Sequence, residues 1–204
     1  MRALRGSWPG VLPGGRAWRR GKRYACGRYS EGVVGVRALI IGGARSGKSS
    51  LAERIVAELG GDRVLYVATA ILGDDPDLRR RVALHRMRRP AGWGTVEAGD
   101  LGKVPEEAGS WDAVLLDSLT LWASAHLFSV GEKETLRAFD GFLEKISALP
   151  TPFVLVSDEV GLGVVPENEA ARTFRDALGL INQRAAAVAE EVHLCVAGVG
   201  VRIK

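Results

Sequence analysis

Residues 42–49 read Gly-Gly-Ala-Arg-Ser-Gly-Lys-Ser, a spacing typical of loops that bind the phosphates of a nucleotide. The glycines let backbone N–H groups turn towards phosphate oxygens, and the N-terminus of a following helix adds a partial positive charge. Lys48 would neutralise the β- and γ-phosphates, and the Ser49 hydroxyl would ligate Mg²⁺. The alternative is a glycine-rich turn that matches by chance. We predict that the whole loop binds a nucleotide: Gly42, Gly43, Ala44, Arg45, Ser46, Gly47, Lys48 and Ser49.

A loop of this kind needs a second acid on the metal side. Asp117 follows the apolar run Ala113–Leu116, so it stands at the C-terminal end of a predicted strand. Open α/β sheets bind ligands at that edge. We therefore predict that Asp117 contacts the metal together with Ser49. The alternative is an aspartate that caps the following segment.

His85 lies in a segment with six arginines in the eleven residues 79–89. Guanidinium groups pair with phosphates in a bidentate manner, so this density favours a polyphosphate. A neutral imidazole is a competent nucleophile towards phosphorus, and neighbouring arginines should keep it neutral. The same residue type in a basic helix is also typical of a plain surface position.

The elements that must position these residues form an alternating pattern. Apolar runs at Val36–Ile41, Val64–Ala68, Ala113–Leu116, Phe153–Val156 and Val192–Ala197 are continuous, as in strands buried on both faces. Helical stripes lie between them, and these comprise Leu51, Ile55, Val56 and Leu59; Leu136, Phe139, Phe142, Leu143 and Ile146; and Phe174, Leu178, Ile181, Ala185, Val188 and Val192. The pattern predicts a mainly parallel α/β sheet flanked by helices. About 45 residues separate the second and third strands, a length that favours a functional insertion.

Charge divides the chain into two regions. Residues 1–37 hold nine Lys or Arg and one acid, whereas the remaining residues hold 19 basic and 23 acidic side chains. We predict a disordered basic tail over residues 1–35 and one domain over residues 36–204. The tail could be an arm that binds nucleic acid or an anionic surface, a dispensable leader or the product of a start codon assigned too far upstream.

The sequence argues against several other classes of protein. It has no run of eighteen apolar residues, which excludes a membrane-spanning helix by this criterion. Its two cysteines, Cys26 and Cys195, are far apart and lack neighbours at ligand spacing. This excludes a disulfide scaffold and a zinc site, and favours the reducing cytoplasm.

Several blocks together resemble one family. They are the phosphate loop, Leu65–Ala70, His85–Trp93, Thr95–Ala98, Leu115–Trp122, Val156–Asn168, Arg172–Ala186 and the final AGVGVRIK. In this order they resemble the bifunctional adenosylcobinamide kinase / adenosylcobinamide-phosphate guanylyltransferases of cobalamin biosynthesis. The resemblance runs from about Val36 to Lys204, and its EVG-x-G-x-VPEN and NQR blocks are not general features of phosphate-loop proteins.

The resemblance implies a RecA-like P-loop fold, a homotrimer and two reactions. ATP or GTP would phosphorylate adenosylcobinamide, and GTP would then transfer GMP to the phosphate through a GMP–histidine intermediate. The matching histidine is His85. The resemblance also implies nucleotide contacts beyond the phosphate loop, at Ala68, Thr69, Ala70, Arg86, Met87, Arg88, Arg89, Glu97 and Asp117.

This chain departs from the family pattern in two places. Asp158 stands where the family commonly has asparagine, and the basic tail has no counterpart. The predicted substrates are nucleotides and a corrinoid, with Mg²⁺ as cofactor and no nucleic-acid partner. A guanylyltransferase without kinase activity, a monofunctional small-molecule kinase and a nucleotide-dependent nucleic-acid-binding protein are the alternatives.

Overall fold

The computed structural model of this protein describes residues 35–69 and 89–204. Its strands are β1 (Val36–Gly42), β2 (Val64–Ala68), β3 (Gly94–Glu97), β4 (Ala113–Asp117), β5 (Phe153–Asp158), β6 (Glu191–Val196) and β7 (Val199–Arg202). Its helices are α1 (Lys48–Gly60), α2 (Val104–Ala108), α3 (Leu119–Val130), α4 (Glu132–Ser147) and α5 (Glu169–Val188), with a 3₁₀ turn at Leu101–Lys103.

All seven strands belong to one sheet in the order β3-β2-β4-β5-β1-β6-β7. Every neighbouring pair is parallel except β6 and β7, which form an antiparallel hairpin. The strand that enters the phosphate loop, β1, is separated from the strand that ends in Asp117, β4, by β5 alone. Because the first six strands are parallel, their C-terminal ends meet at one edge. That edge positions the candidate site.

Helices cover both faces of the sheet. On one face, α3, α4 and α5 pack through a cluster that includes Trp122, Phe139, Phe142 and Leu178. On the other, Ala52, Ile55 and Val56 of α1 pack against the sheet. Side chains alternate between the two clusters along β1, since Leu39 joins the first while Ala38 and Ile40 join the second. Burial on both faces explains the continuous apolar runs.

The predicted α/β class, the mainly parallel sheet and all five predicted strands are confirmed, and each predicted helical stripe lies in a helix. One residue of the third stripe was assigned wrongly. Val192 continues the helical spacing, but α5 ends at Val188 and Val192 belongs to β6. The pattern also missed β3, α2, α3 and β7. The long connection contains β3 and α2, while residues 70–88 lie outside the described residues.

None of the helices within residues 35–69 and 89–204 is long and apolar enough to span a membrane. The predicted tail, residues 1–35, lies outside the described residues except for Gly35.

Candidate active site

The phosphate loop joins the end of β1 to the first turn of α1 through backbone conformations that favour glycine. Gly47 has φ +93°, and a Cβ at this position would lie 3.0 Å from the Cα of Gly198. A Cβ on Gly42 would lie 2.5 Å from the carbonyl oxygen of Cys195. Glycine is therefore needed at both ends of the loop. Gly47 has a left-handed φ, and at both Gly42 and Gly47 a side chain would come too close to the neighbouring residue.

The hairpin of β6 and β7 supports the loop from one side. Its turn, Ala197 and Gly198, has positive φ at both residues (50° and 82°), as in a type I′ turn. The backbone N–H of Gly198 donates to the carbonyl oxygen of Ser46 at 2.9 Å. The AGVG segment of the sequence therefore acts as a support for the phosphate loop.

Lys48 lies at the start of α1 with its side chain only 12% exposed. Its Nζ donates to the carbonyl oxygen of Gly43 at 3.1 Å and lies 2.5 Å from Oδ1 of Asp158. Asp158 ends β5, the strand next to β1. The ammonium group is therefore held at the mouth of the loop by a carboxylate from the neighbouring strand.

Asp117 ends β4 at the same edge, and a buried tyrosine holds its side chain. Tyr66 donates its phenolic O–H to Oδ2 of Asp117 at 2.7 Å, and only 3% of Tyr66 is exposed. Burial first, and then the negative charge of Asp117, raises the pKa of Tyr66 far above its ordinary value of 10. The phenol therefore remains a donor at all physiological pH values.

Thr69 and Ser118 join the ends of β2 and β4. The N–H of Ser118 donates to Oγ1 of Thr69 at 2.9 Å, and Oγ1 of Thr69 donates to the carbonyl oxygen of Ser118 at 2.6 Å. Oγ of Ser118 in turn accepts from the N–H of Leu121 and caps α3, and the Asp117–Ser118 peptide is cis. The Thr69 hydroxyl is therefore engaged in the scaffold beneath the site.

Arg89 lies over the other side of Tyr66, with its guanidinium carbon 3.3 Å from the ring centroid. Its NH1 donates to Oγ1 of Thr95 at 3.0 Å, and its Nε is buried without a hydrogen-bond partner among the described residues. The contact is a buried cation–π interaction. A cavity of about 460 Å³ opens beside it, lined by Arg89, Pro90, Ala91, Trp93, Thr95 and Glu97.

The structure brings most of the described candidate residues to one edge. The phosphate loop, Ala68, Thr69, Glu97 and Asp117 lie at the C-terminal ends of β1, β2, β3 and β4, and Arg89 packs on β2. Ala70, His85, Arg86, Met87 and Arg88 lie outside the described residues.

The role of Tyr66 and the contact between Asp158 and Lys48 were not predicted from the sequence. Neither were those of Thr120 and Asn182, which hydrogen-bond to the backbone of Asp158. The only signal for Asp158 was its departure from the family's asparagine. For Tyr66 the only signal was a polar group inside an apolar strand.

Comparison with known proteins gives one family. The family model described as "Cobinamide kinase / cobinamide phosphate guanyltransferase" matches residues 38–203. The chain is 42% identical over 171 residues to "Bifunctional adenosylcobalamin biosynthesis protein CobP" of Pseudomonas aeruginosa, covering 83% of this chain and 98% of the relative. It is 39% identical over 181 residues to the CobU protein of the same description from Salmonella typhimurium, covering 81% and 98%.

Solved structures similar to this fold include two archaeal proteins. One is the flagellar accessory protein FlaH of Methanocaldococcus jannaschii, with a TM-score of 0.45, 16% identity and coverage of 78% of this chain and 70% of that chain. The other is a KaiC-like protein of Pyrococcus horikoshii, with a TM-score of 0.42 and the same identity and coverage.

Proposed function

The chain belongs to the cobinamide kinase / cobinamide phosphate guanyltransferase family, and from this membership we propose a two-step function. It phosphorylates adenosylcobinamide with ATP or GTP, and it then transfers GMP from GTP to the product, giving adenosylcobinamide-GDP and pyrophosphate. The observation that carries the proposal is the phosphate loop with Lys48 at the same sheet edge as Asp117 and Glu97, inside a family match that spans residues 38–203.

In the kinase step the phosphate loop binds the β- and γ-phosphates of the donor, and Lys48 neutralises their charge. The acceptor hydroxyl attacks the γ-phosphorus, the bond to the bridging oxygen breaks, and the nucleoside diphosphate leaves. The loop amides and Lys48 stabilise charge that develops in this transition state.

The residues present fit a Mg²⁺ ion. The Ser49 hydroxyl at the start of α1 and the Asp117 carboxylate at the end of β4 are oxygen ligands, which this ion prefers. Within the described part of the chain, no group of three or more His, Cys, Asp or Glu side chains could hold a metal. In nucleotide sites Mg²⁺ commonly takes only a few protein ligands, together with phosphates and water. The bound ion would screen the negative charge of the phosphates.

In the transfer step, we propose that His85 attacks the α-phosphorus of GTP. A nitrogen–phosphorus bond forms, the bond to the β-phosphate oxygen breaks, and pyrophosphate leaves. A phosphate oxygen of the corrinoid product then attacks the same phosphorus and releases the histidine. The arginines of the segment, Arg86, Arg88 and Arg89, would take up phosphate charge.

The breadth of the site suits one GTP laid across the sheet edge. From β1 to β3 there are four strand spacings, roughly 19 Å at about 4.8 Å each. The β- and γ-phosphates would occupy the loop after β1, and the guanine would reach the cavity at the end of β3. There the Glu97 carboxylate can accept hydrogen bonds from guanine or ribose. Ala68 and Thr69 are buried beneath the path between the two ends, so they would support the nucleotide from below.

We propose that the enzyme works in the cytoplasm as a homo-oligomer, a trimer by resemblance, without a nucleic-acid partner. The net charge of residues 38–204 is negative, which disfavours nucleic-acid binding. Val199, Val201 and Ile203 on and after the edge strand β7 are 48–59% exposed, which favours a contact with another subunit.

The decisive experiment uses purified protein, Mg²⁺ and GTP labelled at either the α- or the γ-phosphate, with His85→Ala as the matched variant. Acid-labile protein label from α-labelled GTP alone, absent from the variant, is the expected result. Label transfer to adenosylcobinamide from γ-labelled GTP or ATP tests the kinase step separately. Equal α-labelling of the variant would remove His85 from the chemistry, and no γ-transfer would leave a guanylyltransferase only.

A further inference from the structure

The Lys48–Asp158 ion pair uses the same ammonium group that the nucleotide phosphates require. Nζ of Lys48 lies 2.5 Å from Oδ1 of Asp158, and the two side chains are 12% and 26% exposed. A pair this shielded from water interacts more strongly than an exposed surface pair. A phosphate that enters the loop must therefore either draw the Lys48 ammonium group away from Asp158, or share this group with the Asp158 carboxylate.

Asp158 is held in this position by contacts to its backbone. Its N–H donates to Oγ1 of Thr120 at 2.7 Å, and its carbonyl oxygen accepts from Nδ2 of Asn182 at 3.0 Å. The next residue, Glu159, donates its N–H to the carbonyl oxygen of Gly42 at 3.1 Å. Helices α3 and α5 and the end of β1 thus fix the backbone that carries the carboxylate. Because the backbone is anchored, the carboxylate can move away from a bound phosphate only by rotation of the Asp158 side chain.

We propose that Asp158 is a positioning residue that competes with bound phosphates for Lys48 and thereby speeds the release of pyrophosphate and nucleoside diphosphate. The proposal rests on the proposed function, because it takes the phosphate loop as the site of the β- and γ-phosphates. When transfer is complete, Lys48 returns to Asp158 and the product loses its contact with this ammonium group.

The competition by Asp158 would raise kcat and would not raise the affinity for nucleotides. Binding that stabilises substrate, product and transition state alike does not raise kcat. In many enzymes product release limits the rate, so a residue that weakens product binding raises kcat while it also raises KM. The expected signature of removing the carboxylate is a fall in kcat and KM together.

The test is Asp158→Asn, which removes the charge and keeps the shape. The matched control is Asp140→Asn on α4, which removes the same charge from an exposed pair with Arg184, away from the loop. The Kd is measured for a fluorescent GDP and for unlabelled pyrophosphate, and the dissociation rate is measured for GDP. GMP is the control ligand, because it lacks a β-phosphate.

Asp158→Asn should bind GDP and pyrophosphate about tenfold more tightly and release GDP more slowly, with GMP binding unchanged, since charged hydrogen bonds have this magnitude. In a Lys48→Ala background the same change should have no such effect. If GDP binding is unchanged or weaker in Asp158→Asn, or equally tightened without Lys48, the proposal is overturned. Asp158→Ser replaces the amide variant if that variant fails to fold. Loss of GDP binding by the unmodified protein would instead overturn the proposed function.

Discussion

Replacing Tyr66 with phenylalanine removes one hydroxyl group beside Asp117 and keeps the ring on which Arg89 lies. The hydroxyl donates to Oδ2 of Asp117 at 2.7 Å. We expect its loss to release the carboxylate from the orientation in which it faces the metal side of the site. The effect should therefore appear in Mg²⁺-dependent nucleotide binding rather than in the fold.

The magnitude follows from the exposure of the two partners. A hydrogen bond to a charged group contributes about 1.5–3 kcal/mol. Tyr66 is buried, whereas Asp117 is partly exposed and can take up a water molecule when the hydroxyl is gone. The lower end of the range then applies, and ~1.5 kcal/mol corresponds to roughly tenfold weaker binding.

The assay is a calorimetric titration with GTP, once with Mg²⁺ and once with a chelator. Tyr66→Phe should lose about tenfold in affinity with Mg²⁺ and nothing without it. Tyr66→Leu is the companion variant, because it also removes the ring beneath Arg89. Relative to Tyr66→Phe, it should lower the free energy of unfolding by ~2 kcal/mol, the size of a cation–π contact shielded from water.

Equal Mg²⁺ dependence of GTP binding in the wild type and in Tyr66→Phe would show that the hydroxyl does not orient Asp117. A loss of the same size with the chelator present would lead to the same conclusion. In that case the hydroxyl would act on the nucleotide site without reference to the metal side.

Three further predictions concern single positions. Gly47→Ala should lower the free energy of unfolding by about 1–3 kcal/mol, because φ is +93° and the new Cβ would lie 3.0 Å from Gly198. Gly43→Ala is the control, since a Cβ there would have no atom within 4 Å, and it should change this free energy by less than about 0.5 kcal/mol. Equal denaturation midpoints of the two variants would count against this. Above pH 10 the wild type should lose stability faster than Tyr66→Phe, since burial raises the pKa of Tyr66 and the unfolded phenol ionises first; parallel pH profiles in urea would contradict it. Glu97→Gln should raise the KM for GTP by roughly tenfold, because the amide presents a donor where guanine needs an acceptor; an unchanged KM would show that guanine is bound elsewhere.

Strands that are buried on both faces of the sheet could be predicted from the sequence. The runs at β1, β2, β4 and β5 are continuous because both faces are covered, and continuity predicts such strands directly. The outer strand β3 alternates between half-buried and exposed residues and is only four residues long, so its pattern is weak. Helix α3 is apolar around much of its circumference, since Leu121 and Phe128 are exposed while Trp122 and Leu127 are buried, so it shows no stripe.

Residues of the candidate site could be predicted only where they belong to a sequence motif. Residues 42–49 could be assigned from their spacing alone, because the glycines and the lysine have separate physical reasons. The Lys48–Asp158 and Tyr66–Asp117 contacts could not, since each joins residues far apart in the sequence and depends on strand order. The roles of all the candidate site residues remain predictions, those of His85 and residues 86–88 among them.

The hairpin beneath the phosphate loop has a consequence for how the protein is made. Residues 36–42 leave the ribosome before their two neighbours in the sheet, residues 153–158 and 191–196, and before the turn that supports Ser46, at Ala197 and Gly198. Nascent chains synthesised up to β4 therefore contain every residue of the loop without the partners that shape it. We expect competence to bind nucleotide only after Gly198 has been synthesised, and chains truncated before this residue should be recognised as unfinished by chaperones and proteases.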